Sequence, residues 1–193
     1  MRVISGALKG RRIETPPGRG TRPVLTRVRK AVFDALQFEV PGGTVLDLFG
    51  GSGSYAIEAL SRGAERATIV ELDPPAYQVL AANVKALGIE ARTECLLMDA
   101  REAIPKLGRQ GKRYDIVFAA PPQGQGLIAS TFSWMREHPV LAPEGLVVAQ
   151  HHPQEYRGGL AKEDWQLIRE RRYGNTVVGF YKLCPERKEE ERG

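Results

Sequence analysis

Cysteine is scarce in this chain. Two occur in 193 residues, Cys95 and Cys184. They are too few for a disulfide scaffold and too far apart for a metal-type pair. A reducing, cytoplasmic setting without structural disulfides is therefore expected. No apolar run approaches the ~20 residues that a bilayer-spanning helix needs. The opening Met1-Arg2-Val3-Ile4-Ser5-Gly6 has no long apolar core of the secretory-leader type. No membrane partner is expected. A G-x-x-x-x-G-K-[ST] run is missing, which excludes a P-loop nucleotide hydrolase. His151 and His152 are adjacent, off ligand spacing, with no acid or cysteine cluster beside them, so no metal is expected. They read as loop residues near the mouth of a fifth strand. A thiolate nucleophile for cytosine-C5 chemistry is also wanting, because Cys95 and Cys184 read as core or edge residues of strands.

The first thirty residues lack negative charge. Arg2, Lys9, Arg11, Arg12, Arg19, Arg22, Arg27, Arg29 and Lys30 stand there against one acid, Glu14. The whole chain carries a net charge of +5. A basic lobe on a near-neutral body suits a phosphate backbone; the plainer alternative is a solvated basic face. The rest is ordinary globular composition, 42% hydrophobic and 26% charged, in a length that fits one compact domain with a real core.

Residues 1–14 read as a short hairpin, with Val3-Ile4, a turn near Gly6–Gly10 and a return through Arg12-Ile13-Glu14. A Pro/Gly-rich loop follows over 15–23. Val24–Phe38 carries apolar residues at helical spacing. From Thr44 the pattern becomes strand, turn and helix, repeated. Strands are expected at Thr44–Leu48, Ala67–Glu71, Ala91–Leu97, Tyr114–Phe118 and Leu146–Gln150. Helices are expected at Tyr55–Arg62, Pro74–Leu87, Ala100–Leu107 and Leu127–Glu137. Trp165–Arg171 and Thr176–Lys182 close the chain as a hairpin. This predicts an α/β fold with a seven-stranded, mostly parallel sheet and an antiparallel C-terminal strand. An N-terminal β-hairpin and helix precede it. The expected divisions are residues 1–40 as that extension, 41–185 as the nucleotide-type domain and 186–193 as a charged tail.

The sharpest motif is Val45-Leu46-Asp47-Leu48-Phe49-Gly50-Gly51-Ser52-Gly53, a buried strand entering a glycine-rich turn and then a helix. Such turns lie where ligands bind, at the carboxyl ends of strands. Glu71 ends the next strand, at the spacing of a ribose-binding acid. Asp99 follows the third, where a carboxylate accepts from an adenine amino group. A dinucleotide turn would set a pyrophosphate on the helix N-terminus. Asp47 would repel that pyrophosphate, yet it suits the cationic aminoacyl end of S-adenosylmethionine. Each acid alone would read as a cap or a solvated residue; the three on successive strand ends point to that cofactor. Tyr55 follows the turn and either flanks the cofactor or packs the helix. Phe132 and Trp134 fit a packing face of their helix.

The chain also resembles a known family. Met1–Gly6 with Lys9-Gly10-Arg11-Arg12, Arg22-Pro23 with Thr26-Arg27-Val28-Arg29 and Phe33, the glycine motif, Glu58–Ala64 and Val70-Glu71-Leu72-Asp73 resemble the RsmD-like bacterial methyltransferases. Those enzymes modify the exocyclic N2 of a guanine in 16S rRNA. The resemblance implies a class I Rossmann-like fold and cofactor contacts from Asp47, Phe49, Gly50, Gly51, Ser52, Gly53, Glu71, Leu72, Asp99, Ala100 and Thr26. It implies RNA contacts from Arg2, Lys9, Arg11, Arg12, Arg22, Arg27 and Arg29. The implied partner is 16S rRNA or the 30S subunit, met by a monomer; DNA is the alternative.

Amino-directed methyltransferases carry (Asp or Asn)-Pro-Pro-(Tyr or Phe) after the fourth strand. An exocyclic base nitrogen is a poor nucleophile, since its lone pair is delocalised into the ring. An acceptor there binds the N–H groups, and the aromatic ring stacks on the flipped base. This chain has Ala120-Pro121-Pro122-Gln123 instead, the expected catalytic segment without acceptor or ring. Gln150 is a second departure, since relatives often place a glutamate there. Three readings stay open. The carbonyl of Pro121 or the amide of Gln123 or Gln125 supplies the acceptor; the acceptor atom on the substrate differs; or the chain is a catalytically weakened binder of cofactor and RNA.

Overall fold

The computed structural model describes residues 1–16, 23–122, 125–155 and 164–184, without the side chains of 23–25. Strands and helices alternate through the middle of the chain. They are α1 (Pro23–Ala35), β1 (Thr44–Asp47), α2 (Ser54–Ser61), β2 (Arg66–Glu71), α3 (Pro74–Leu87), β3 (Thr93–Leu97), α4 (Ala100–Arg109), β4 (Tyr114–Ala119), α5 (Leu127–Glu137), β5 (Leu141–His151), β6 (Trp165–Tyr173) and β7 (Thr176–Leu183). One seven-stranded sheet has the order β3-β2-β1-β4-β5-β7-β6. The pairs from β3 to β5 are parallel, and β7 runs antiparallel to both β5 and β6. The expected doubly wound sheet is therefore present.

The strand order reverses beside β1, with β2 on one side and β4 on the other. In open α/β sheets ligands bind outside the carboxyl ends at such a switch point. Asp47 is level there with Ile69 of β2 and Phe118 of β4. Helices cover both faces. One apolar layer joins Val28, Val32 and Phe33 of α1 with α2, α3 and the N-terminal Val3 and Ile13. The other joins α4 and α5 with Trp165 and Tyr181.

The N-terminal segment is narrower than a hairpin. It holds one bridge, Arg2 with Arg12, flanked by Val3 N–H to Arg11 O at 3.0 Å and Gly10 N–H to Val3 O at 2.9 Å. Buried polar groups of the main domain hold it down. Glu58, wholly buried, accepts the N–H groups of Ile4 and Ser5 at 2.8 and 3.0 Å. It also accepts Arg62 Nε at 2.8 Å. Ser61 Oγ accepts from Leu8 N–H at 2.9 Å. Asn83 exchanges bonds with both backbone groups of Glu14, each at 2.9 Å, and donates to Ser52 O at 3.0 Å.

Several boundaries differ from expectation, three of them informatively. α1 stops at Ala35, three residues before Phe38, and Phe38 is exposed. β3 starts at Thr93, after a 3-10 turn over Glu90–Arg92. β5 starts at Leu141 rather than Leu146. It first pairs Leu141 with Tyr114, then shifts register and resumes at Leu146 with Ile116. Pro143 and Gly145 sit inside that irregularity, where a missing ladder bond is tolerated.

Candidate functional site

A cavity of about 650 Å³ opens at the carboxyl ends of β1 to β4. That volume suits a small-molecule ligand. Phe49, Glu71, Leu72, Asp99 and Ala100 line one part of it, and Ala120, Pro121 and Pro122 another. Expected cofactor and catalytic residues thus share one space.

Glu71 is buried and fixed by backbone donors. Gly51 N–H gives to Oε2 at 2.6 Å and Asp73 N–H to Oε1 at 2.8 Å. Each carboxylate oxygen keeps a second lone pair for a ligand hydroxyl. Asp99 caps α4, its Oδ1 accepting Arg101 N–H at 2.7 Å. It caps the helix and lines the cavity at once.

The glycine turn does two jobs. Gly51 at φ 55° presents its N–H to Glu71. Gly50 serves packing: a Cβ there would collide with Ile69 Cγ2 and stand 3.2 Å from Val70 O. Gly50, Gly51, Ser52 and Gly53 are not among the residues that line the cavity, although Phe49 beside them is. Asp47 is likewise not a lining residue and is 1% exposed. Burial, with the nearby Glu71 charge adding, pushes its carboxyl up to about 7. Phe49 N–H reaches it over a long 3.4 Å, and among the described residues no cation pairs with it.

Other expectations change. Arg29, expected to meet RNA, is 2% exposed. Its Nη2 donates to Arg2 O at 2.6 Å and its Nε lies 4.0 Å from Glu58 Oε2. It holds the N-terminal segment from inside and offers no surface to a phosphate. Arg2, Lys9, Arg11, Arg12 and Arg27 are exposed. Arg12 pairs with Glu14 at 2.8 Å, and Arg11 donates to Ala86 O at 2.8 Å. Thr26 is exposed on α1 and is not among the residues that line the cavity. Arg22, Gln123 and the tail 186–193 lie outside the described residues.

His151 is not a loop residue. It ends β5, buried and paired with Val177. Tyr55 packs its ring 4.9 Å from that of Phe118 and gives its hydroxyl to Gln150 Oε1 at 2.8 Å; it takes the packing role. Burial raises the Cys95 thiol to about 11, far from a reactive thiolate. Among the described residues no group of acids, cysteines and histidines is arranged for a metal, and no helix is long and apolar enough to cross a membrane.

Trp134 packs against the α4/α5 layer as expected, but reading the sequence missed that it also lines the cavity with Gln125 and Leu127; Phe132 packs edge-on against Trp165 at 4.9 Å. The signal was positional. The buried stripe of α5 is Ile128, Thr131, Phe132 and Met135, and Trp134 falls off it.

A family model described as conserved hypothetical protein 95 matches residues 1–182. The chain is 33% identical over 182 residues to YlbH of Bacillus subtilis, covering 94% of this chain and 98% of that protein. It is 32% identical over 183 residues to ribosomal RNA small subunit methyltransferase D of Escherichia coli K12, covering 94% and 89%. Among solved structures, a hypothetical protein of Thermus thermophilus superposes with a TM-score of 0.79 at 31% identity, covering 93% of this chain and 98% of that one.

Proposed function

The chain belongs to the family described as conserved hypothetical protein 95, and on that premise we propose that it is an S-adenosylmethionine-dependent methyltransferase of the exocyclic N2 of a guanine in 16S rRNA. The fold is the Rossmann-like one of such enzymes. The observation that carries the proposal is the shared cavity. It has the acids Glu71 and Asp99 at one part and the Pro121-Pro122 segment at another.

The donor set fits the cofactor. Glu71 has lone pairs left for ribose hydroxyls, and Asp99 for an amino group. Leu72, Met98 and Trp134 offer apolar surface to a purine. Asp47 supplies negative charge behind the glycine turn for a cationic aminoacyl end. When bound, the cofactor supplies a methyl group activated by its sulfonium. The residues proposed to hold it are Asp47, Phe49, Gly50, Gly51, Ser52, Gly53, Glu71, Leu72, Asp99 and Ala100. Arg2, Lys9, Arg11, Arg12 and Arg27 are proposed to meet the RNA, in the 30S subunit or an assembly intermediate. The proposal includes a cytoplasmic monomer.

Ala120 has no acceptor side chain for the target amino group. Backbone carbonyls of that segment and the exposed Gln125 amide, which lines the cavity, take its place in this reading. The same alanine favours one second reading, a weakened relative that binds cofactor and RNA without efficient transfer. Tritiated methyl transfer to naked rRNA, 30S subunits and duplex DNA separates these. Label on 30S subunits, recovered as N2-methylguanosine by mass spectrometry, is the expected result. Label on DNA alone would overturn the RNA assignment. Cofactor binding without label, restored by Ala120→Asp, would establish the second reading.

A further inference from the structure

β6 is one edge of the sheet, opposite β3, and the most exposed of the described strands. Residues 166–172 are all exposed. Three of them, Arg169, Arg171 and Arg172, are cations, and one, Glu170, is an acid. Among the described residues none of these arginines pairs with a carboxylate. Arg171 donates only to Glu170 O at 3.1 Å and Arg172 to Gly174 O at 3.0 Å, both backbone acceptors.

Register places these cations relative to the site. Gln150 of β5 pairs with Val178, which pairs with Arg171; His151 pairs with Val177, which pairs with Arg172. Ala149 of β5 is likewise level with Ala119 of β4. Arg171 and Arg172 therefore stand at the same rim of the sheet as Ala120 and the cavity mouth. Strand spacing puts them about 10 Å from β5 and about 14 Å from β4. Successive strand residues face opposite ways. Arg169 and Arg171 pair with Phe180 and Val178, whose side chains join the layer under α1. They share that face with α1, which carries the exposed Arg27. Arg172 points to the other face.

We propose that Arg169, Arg171 and Arg172 on β6 form a second RNA-backbone contact, flanking the cavity on the side away from β3. This rests on the RNA-methyltransferase reading above. The chemistry is phosphate recognition: unpaired guanidinium groups, exposed, on a rigid strand at the level of the acceptor site. A target nucleotide drawn into the cavity leaves its flanking phosphates outside the rim. Contacts on β6 would hold the strand on one flank while the N-terminal basic segment holds another part.

Charges on an edge strand also guard against strand pairing between molecules. That role accepts either sign; phosphate binding accepts only cations. The test compares the wild type with two triple variants, Arg169→Glu/Arg171→Glu/Arg172→Glu and the corresponding Arg→Lys set. RNA affinity is measured on a single-stranded 16S fragment and on 30S subunits at several salt concentrations. Cofactor affinity is measured by calorimetry, and association state by sedimentation. Loss of three phosphate contacts should flatten the slope of log K against log salt by about 2. The expected result is at least a tenfold loss of RNA affinity in the Glu variant, with most affinity kept in the Lys variant. Both should stay monodisperse and bind cofactor as the wild type does. Unchanged affinity and slope in the Glu variant would overturn the proposal. So would a loss confined to 30S subunits, which would assign the strand to a protein partner. A wild type that binds neither RNA nor subunits would remove the underlying reading as well. A wild type that methylates beside an equally active Glu variant would remove this inference alone.

Discussion

Asp47→Asn should make the protein more stable at neutral pH and worse at holding its cofactor. The wild-type carboxyl is 1% exposed. Burial raises it from 3.8 to about 7. A raised carboxyl favours the protonated form in the fold, so ionisation there works against folding. Below about pH 4 both folded and unfolded chains hold the proton, and the penalty is absent. Between about pH 4 and 7 the unfolded chain releases it first, and stability falls as pH rises. Above pH 7 the penalty is complete, on the order of 4 kcal/mol for a shift of about three units. Asn keeps the shape and the acceptor oxygen that faces Phe49 N–H but carries no charge. Urea unfolding followed by circular dichroism at pH 4.5, 6 and 8 measures the difference. The variant should exceed the wild type by only about 1 kcal/mol at pH 4.5 and by a few kcal/mol at pH 8. Calorimetry should show at least a tenfold weaker cofactor at pH 8. In the wild type, affinity should rise about fivefold from pH 6 to 7, following the ionised fraction of a group titrating near 7. A variant that is less stable than wild type at pH 8 would refute the reasoning, because Asp47 would then be structural.

Glu58→Ala should cost about 3–5 kcal/mol, since it strands buried Arg29 together with two backbone donors; faster hydrogen exchange at Ile4 and Ser5 is the local sign. Gly50→Ala should destabilise by about 1–3 kcal/mol, because its Cβ meets the Ile69 side chain and Val70 O; thermal unfolding measures it. Trp134→Ala should weaken cofactor affinity severalfold without large loss of stability, and cofactor should alter Trp134 fluorescence in the wild type; a silent signal would place the ligand elsewhere.

The helices Pro74–Leu87 and Leu127–Glu137 were legible to the residue, because prolines, glycines and apolar spacing bound them. Asp47, Glu71 and Asp99 were legible as strand-end acids for the same reason: parallel strands bring their carboxyl ends to one rim. Arg29 was misread because charge was weighed before periodicity. It lies one position from Val28 and three and four from Val32 and Phe33, inside the buried stripe of α1. Glu58 carried the matching sign, an acid inside the apolar run Ala56–Leu60. A buried pair so distant in sequence shows only when both helices are in place. β5 was shortened because Gly145 was read as opening it, and only pairing with β4 reveals the irregular segment from Leu141 that contains Gly145.

The docking of residues 1–14 also sets an order of events during synthesis. Their anchors are Glu58, Ser61 and Asn83, which a ribosome makes well after the segment itself. The basic arm must wait, unanchored, until the glycine turn and the third helix exist. Asn83 then joins it to the turn by holding Ser52 O and Glu14 together. An arm set in its final place is thus a mark of a chain whose ligand-binding half is already built.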